Sequence, residues 1–191
     1  MSEKVLCSYK VRDLIFVCDE RNQEGISRFC GLNINKEFMP TAANTDGLDQ
    51  SKYKVVRKNR FVFSGMQTGR DNCIRISMYM KDEPVIVSPA YITFEIKRKD
   101  IVLPEYFFML FQSKEKDRFG AFCSDGSIRS NLDWERFCDF DVTLPSVKEQ
   151  QKYVNVYLAI QNNLNSFQEK AEELLNNLCP VLVKGSLQSD I

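Results

Sequence analysis

From Val147 to Leu178 the chain contains neither glycine nor proline, and this stretch constrains the fold more than any other. Ser146-Val147-Lys148-Glu149 opens it as a capping box, in which the serine hydroxyl takes the amide of Glu149 and the glutamate reaches back. Pro180 marks the expected stop. At ~1.5 Å per residue the run makes a rod of about 48 Å. A heptad laid on it from its first residue puts Val147, Val154, Gln161, Gln168 and Leu175 at a, and Gln150, Tyr157, Leu164, Ala171 and Leu178 at d, with Leu158, Phe167 and Leu174 widening the stripe. A small domain that ends where the helix begins cannot cover such a stripe. An antiparallel partner helix would, and polar a and d residues then fix register. The alternative is a tail helix folded back onto its own domain.

The residues before the rod read as a β-rich domain. Short strands are expected around Asp13–Asp19 and Phe29–Ile34, with a polar loop over Met39–Gln50. Tyr53–Ser64 is β-rich, broken by the turn Arg57–Arg60. Cys73–Met80 alternates apolar Ile74, Ile76, Met78 and Met80 with Arg75, Ser77 and Tyr79, the period of a strand. Val85–Ile96 is a further strand with an edge or bulge at Pro89. Pro104 suits the first turn of a helix running to about Ser113, and Phe137–Leu144 alternates again. The expected organisation is a domain over 1–144, a long helix over 145–180 and a tail over 181–191. The fold class is α/β (α+β): a twisted, mostly antiparallel β-rich domain followed by a coiled-coil-type helix.

Charge and residue usage narrow the function. Lys+Arg and Asp+Glu both number 26, yet the distribution is uneven. Seven cations between Lys52 and Arg75 face Asp71 alone, whereas nine acids meet five bases from Asp133 onward. Local field rather than net charge attracts phosphate. The seven cysteines are odd in number, scattered and without a CxxC pair, which fits idle reduced thiols rather than a disulfide framework or a zinc knuckle. The start, MSEKVLCSYK, has no signal-peptide pattern and no apolar run approaches a membrane span, so a soluble cytoplasmic protein with no membrane partner is expected. Histidine is absent, which removes Ser-His-Asp and Cys-His nucleophilic sites. Asp139, Asp141, Asp82 and Glu83 read as solvated acids, with no metal site and no catalytic residue.

Two polar loops stand out. Ser64–Arg75, "SGMQTGRDNCIR", carries Gln, Asn and Arg, the side chains that read base edges bidentately, and two glycines that would let the backbone approach a groove. Ser124–Asn131, "SDGSIRSN", has the same character. The structural alternative for both is an ordinary polar hairpin loop.

Taken in order, "KYKVVRKNRFVFSGMQTGRD", "IVSPAYITFEI", "LPEYFFMLFQS", "GSIRSNLDWERFCDFDVTLPSVKEQQKYV" and the rod resemble the specificity subunit of type I restriction–modification systems. The resemblance covers nearly the whole chain. It implies a target-recognition domain followed by a conserved helix that sets the distance between two half-sites on double-stranded DNA and docks methyltransferase subunits. Usual members carry two such units, so this chain resembles a half-subunit. Two copies pairing as a homodimer through Val147–Leu178 would rebuild the arrangement; a fragment of a longer chain explains the length equally. The implied protein is non-catalytic and holds no cofactor, with S-adenosylmethionine, ATP and Mg on its methyltransferase and restriction partner subunits. Expected DNA contacts are Lys54, Arg57, Lys58, Arg60, Gln67, Thr68, Arg70, Asn72 and Arg75, with Ser127, Arg129, Ser130 and Asn131 as a second reading loop. Expected helix contacts are Val147, Val154, Tyr157, Leu158, Leu164, Ala171, Leu175 and Leu178. The competing function is a helix-mediated decoy that occupies the methyltransferase without reading DNA.

Overall fold

The structure, a computed structural model, describes residues 6–41 and 47–188, with side chains as far as 184. The first residues of the start, the centre of the Met39–Gln50 loop and the end of the tail lie outside the described residues. Two compact units emerge, Met1–Gln150 and Gln151–Ile191.

The first unit is built in layers. One sheet has the order β2-β9-β6-β7, from Ile15–Val17, Ile92–Ile96, Phe61–Ser64 and Arg75–Met78, all antiparallel. A second has the order β4-β3-β8-β5, from Phe38–Pro40, Phe29–Leu32, Val85–Val87 and Lys54–Val56, and contains one parallel pair, β3 with β8. A two-stranded ribbon joins β1 (Cys7–Lys10) to β10 (Asp141–Leu144). Strand β6 explains why Phe61-Val62-Phe63 is a continuous apolar run. Phe61 and Phe63 face a core shared with the helices α1 (Val11–Leu14), α3 (Pro104–Phe111) and α5 (Trp134–Cys138), while Val62 faces a second core shared with Leu32, Val56 and Val85. A strand buried on both sides has no polar face to alternate with. The phenylalanines supply the first core directly: Phe61 stacks on Phe94 at 5.0 Å and Phe63 on Phe137 at 4.6 Å.

Val85–Ile96 is two strands in different sheets, not one, since Pro89 stands in the turn between β8 and β9. Phe137 and Cys138 are helical, because Asp133 caps α5 by accepting from the amides of Glu135 and Arg136 at 2.9 and 3.3 Å. Helix α4 (Lys114–Phe122) was not anticipated, although Ser113 caps it through Lys116 N at 3.2 Å. Lys36, in a left-handed turn at φ 64°, reaches Asp117 Oδ1 at 2.7 Å and the Phe111 carbonyl. Asp117 also accepts from Ile74 N at 2.9 Å, so one buried pair ties β7's approach to α4.

The sixth helix, α6, runs from Val147 to Gln188, through Pro180 rather than stopping there. Its predicted cap is present, with Glu149 N donating to Ser146 Oγ at 3.4 Å. Gln150 closes the first unit. Its Oε1 accepts from Leu103 N at 3.0 Å, and its Nε2 donates to the carbonyls of Ile101 at 2.7 Å and Pro145 at 2.8 Å. No helix among the described residues is long and apolar enough to cross a membrane.

Candidate nucleic-acid interface

The two polar loops, far apart in sequence, form one structure. Leu132 N donates to Gly65 O at 2.9 Å, Gly69 N to Ser130 O at 3.0 Å, and Gln67 N to Asn131 Oδ1 at 3.3 Å. The glycines make this contact possible. A Cβ on Gly65 would lie 1.8 Å from Leu132 O, and one on Gly69 would lie 2.7 Å from Ser130 Oγ. Their role is therefore approach of loop to loop, not approach of backbone to a DNA groove as the sequence suggested.

Each loop is also pinned internally. Asp125 Oδ1 accepts from Ser127 Oγ at 2.6 Å, Asn131 N at 2.9 Å and Ser127 N at 3.2 Å, and the Ser127 hydroxyl bond is the chief reason its carboxyl is held below the usual range. Across from it, helix α2 (Thr68–Asp71) lies between two left-handed residues, Gln67 and Asn72. Asp71 accepts from Arg70 Nε at 3.0 Å and from Arg75 Nη2 at 2.5 Å, and the Arg70 bond in particular lowers its carboxyl. Arg75 also donates to Gln67 Oε1 at 3.2 Å. The exposed products of this construction are Arg70, Asn72, Ser127 and Arg129, with Gln67, Ser130 and Asn131 half-buried beside them.

Other expected contacts are spent inside the fold. Arg60, with a side chain only 9% exposed, donates to Glu95 at 2.8 Å, Glu20 at 2.7 Å and Val55 O at 2.8 Å. It links β9 and β5, and so the two sheets. Lys54 is buried, bonded to Tyr91 O at 2.9 Å and paired with Asp19 at 3.2 Å. Thr68 is fully buried and donates to Gly65 O. These three cannot face DNA, because burial and protein partners already satisfy them. Arg57 pairs with Glu20 and Glu24, and Lys58 with Asp82. The basic window from Lys52 to Arg75 is thus largely neutralised by acids from other segments, leaving no broad cationic face there.

Two features escaped the sequence. Phe122, at the end of α4, and Ile128, within the second loop, are 85% and 101% exposed. Nothing in a local pattern separates an outward isoleucine from a core one; only the loop's hydrogen bonding does.

The second unit is a helix whose apolar residues keep the expected d line and shift the a line by one residue. Tyr153, Ile160, Phe167, Leu174 and Val181 alternate with Tyr157, Leu164, Ala171 and Leu178 at steps of three and four, with no glutamine among them. All but Tyr157 and Ala171 are large apolar side chains 43–70% exposed. Val154, named for the seam, is buried at 1%, and Val147 is half-buried. The reason is local: Val147 and Gln150 belong to the first unit and Val154 is buried, so an a line anchored on Val147 and Val154 runs one residue off the exposed one. Leu158 is half-buried and Leu175 is exposed but off the stripe.

Among the described residues no group of three or more His, Cys, Asp or Glu is placed to hold a metal. All seven cysteines are free, and burial pushes the Cys18 and Cys138 thiols up to about 11.

A family model described as the type I restriction modification DNA specificity domain matches residues 9–176. No curated protein matches the chain. Among solved structures it is similar to the HsdS subunit of Thermoanaerobacter tengcongensis, at 17% identity and TM-score 0.59 over 90% of this chain and 46% of that one. It is similar to a type I restriction–modification S subunit from M. genitalium, at 12% identity and TM-score 0.63 over 99% and 48%. A third, from work on assembly and conformational transition of the type I R-M system, gives 11% identity and TM-score 0.55 over 97% and 46%. The likeness is one of fold, and the chain spans about half the length of each of these structures.

Proposed function

The chain belongs to the family of type I restriction modification DNA specificity domains, and from that membership we propose that it reads one half-site of a bipartite double-stranded DNA target. The observation that carries this reading is the composite head, two polar loops locked together and presenting Arg70, Asn72 and Arg129 outward. Arginine donates twice to guanine, and asparagine donates to adenine N7 while accepting from its N6 amino group, which needs side chains held at fixed spacing. Loops pinned by hydrogen bonds supply that spacing without an ordering cost on binding.

Two copies pair through the exposed stripe of α6 and hold two heads apart, so the target is a pair of inverted identical half-sites around an unread gap. The chain itself performs no chemistry. Methylation from S-adenosylmethionine and ATP- and Mg-dependent cleavage belong to partner methyltransferase and restriction subunits. With its cations largely paired, the head contributes few phosphate contacts, and the complex depends on partners for the salt-sensitive part of affinity.

Selection from a randomised double-stranded DNA library, using the chain with its methyltransferase subunit, tests this. Recovery of two inverted copies of one half-site is expected. An unselected pool from a complex that assembles normally would leave the helix-mediated decoy as the function instead.

A further inference from the structure

Ile128 stands fully exposed at the tip of a loop with little freedom to fold it inward. Asp125 holds the loop from one side through Ser127 and Asn131. From the other side Ser130 O accepts from Gly69 N, and Leu132 N donates to Gly65 O. Ile128 touches none of the buried core, so the fold gains nothing from an isoleucine there. A serine or glycine would serve the turn as well.

The surroundings indicate what the side chain meets. Arg129, its neighbour, is exposed and has no acidic partner among the described residues. The Gly69–Ser130 bond brings Arg70, 59% exposed, alongside the same loop. An apolar side chain beside two exposed cations suits a protein interface poorly, because interface cores are depleted in charge. It suits the DNA major groove, where guanine N7 and O6 accept from arginine and the thymine C5-methyl is the apolar feature that distinguishes the base.

We propose that Ile128 is a specificity-determining residue that packs on the C5-methyl of one thymine in the half-site, with Arg70 and Arg129 anchoring the loop beside it. This rests on the DNA-reading function proposed above and assigns to it a residue that hydrogen-bonding logic does not supply.

The test uses the full chain with its methyltransferase subunit on the selected target, replacing each thymine in turn by deoxyuridine, which lacks only the methyl group. The wild type loses about fourfold in affinity at one position, the effect of one methyl group removed from contact. Ile128→Ala loses a similar factor on the thymine target and is indifferent to uracil at that position, while Ile128→Val keeps part of the discrimination. Because the side chain is wholly exposed, neither variant changes the denaturation midpoint. If no thymine shows a uracil effect that Ile128→Ala abolishes, the assignment is overturned. It is equally overturned if Ile128→Ala weakens methyltransferase binding with base preference intact, or if the target base unstacks around Ile128 as around an intercalating wedge. Absence of any selected sequence overturns the DNA-reading function itself, a result distinct from selection without a thymine effect.

Discussion

Replacing Arg60 and Arg70 separately by alanine separates an arginine that builds the domain from one that serves its surface. Arg60 makes three hydrogen bonds from a side chain 9% exposed, to Glu20, Glu95 and the Val55 carbonyl. Removing it leaves Glu95, 30% exposed, without this partner and Glu20, 35% exposed, with one fewer. Breaking a buried pair in this way costs about 3–5 kcal/mol. Glu20 keeps Arg57 as a partner, so the lower end, about 3 kcal/mol, is expected. Arg70 is 59% exposed and its carboxylate partner retains Arg75, so its loss costs about 0–1 kcal/mol. Urea denaturation monitored by circular dichroism gives both numbers, and DNA binding is then compared at a temperature where both variants are folded. Arg70→Ala should lose about 1–3 kcal/mol of binding and relax one base of the motif, whereas folded Arg60→Ala keeps the motif. An Arg60→Ala protein of wild-type stability that no longer selects DNA would refute the division.

Gln150→Ala should destabilise the first unit by about 1–3 kcal/mol, since it leaves the Leu103 amide and the carbonyls of Ile101 and Pro145 without their partner; thermal denaturation reads it. Phe167→Asp or Leu174→Asp should convert a dimer to monomer in sedimentation velocity, while Gln168→Glu, on the expected heptad seam but off the exposed stripe, should not. The acid limb of stability depends on Glu20, whose carboxyl is lowered from 4.5 chiefly by its hydrogen bonds from Arg57, with Arg60 contributing. A lowered carboxylate gives its stability in full above the unfolded value and loses it as pH falls through the folded one. Denaturation midpoints of Glu20→Gln should therefore fall less between pH 6 and about 3 than those of the wild type.

Much of the architecture was legible because it is written locally. Pro104 and Ser146 mark helix starts that the structure keeps, and the Tyr53–Ser64 run and its turn appear as β5 and β6. What was not legible depends on partners distant in sequence. Lys54, Arg57 and Arg60 read as a basic patch because Asp19, Glu20, Glu24 and Glu95 are remote in the chain, and only folding brings them together. The two polar loops were each visible, but not their union, which rests on Gly65 and Gly69 admitting Leu132 and Ser130. On α6 the d line of Tyr157, Leu164, Ala171 and Leu178 was legible, while the a line was placed one residue late for a simpler reason. Its first turn packs on the recognition body, whereas the exposed stripe is set by Ile160, Phe167 and Leu174 further along the rod.

Long-read sequencing of methylated adenines in cells carrying this chain and its methyltransferase subunit bears most directly on the central claim. Two heads held apart by paired α6 helices predict a new mark at two inverted copies of one half-site with a constant gap, and Arg70→Ala should loosen the same base in both copies. A continuous asymmetric motif, or unchanged marks from an assembled complex, would contradict it.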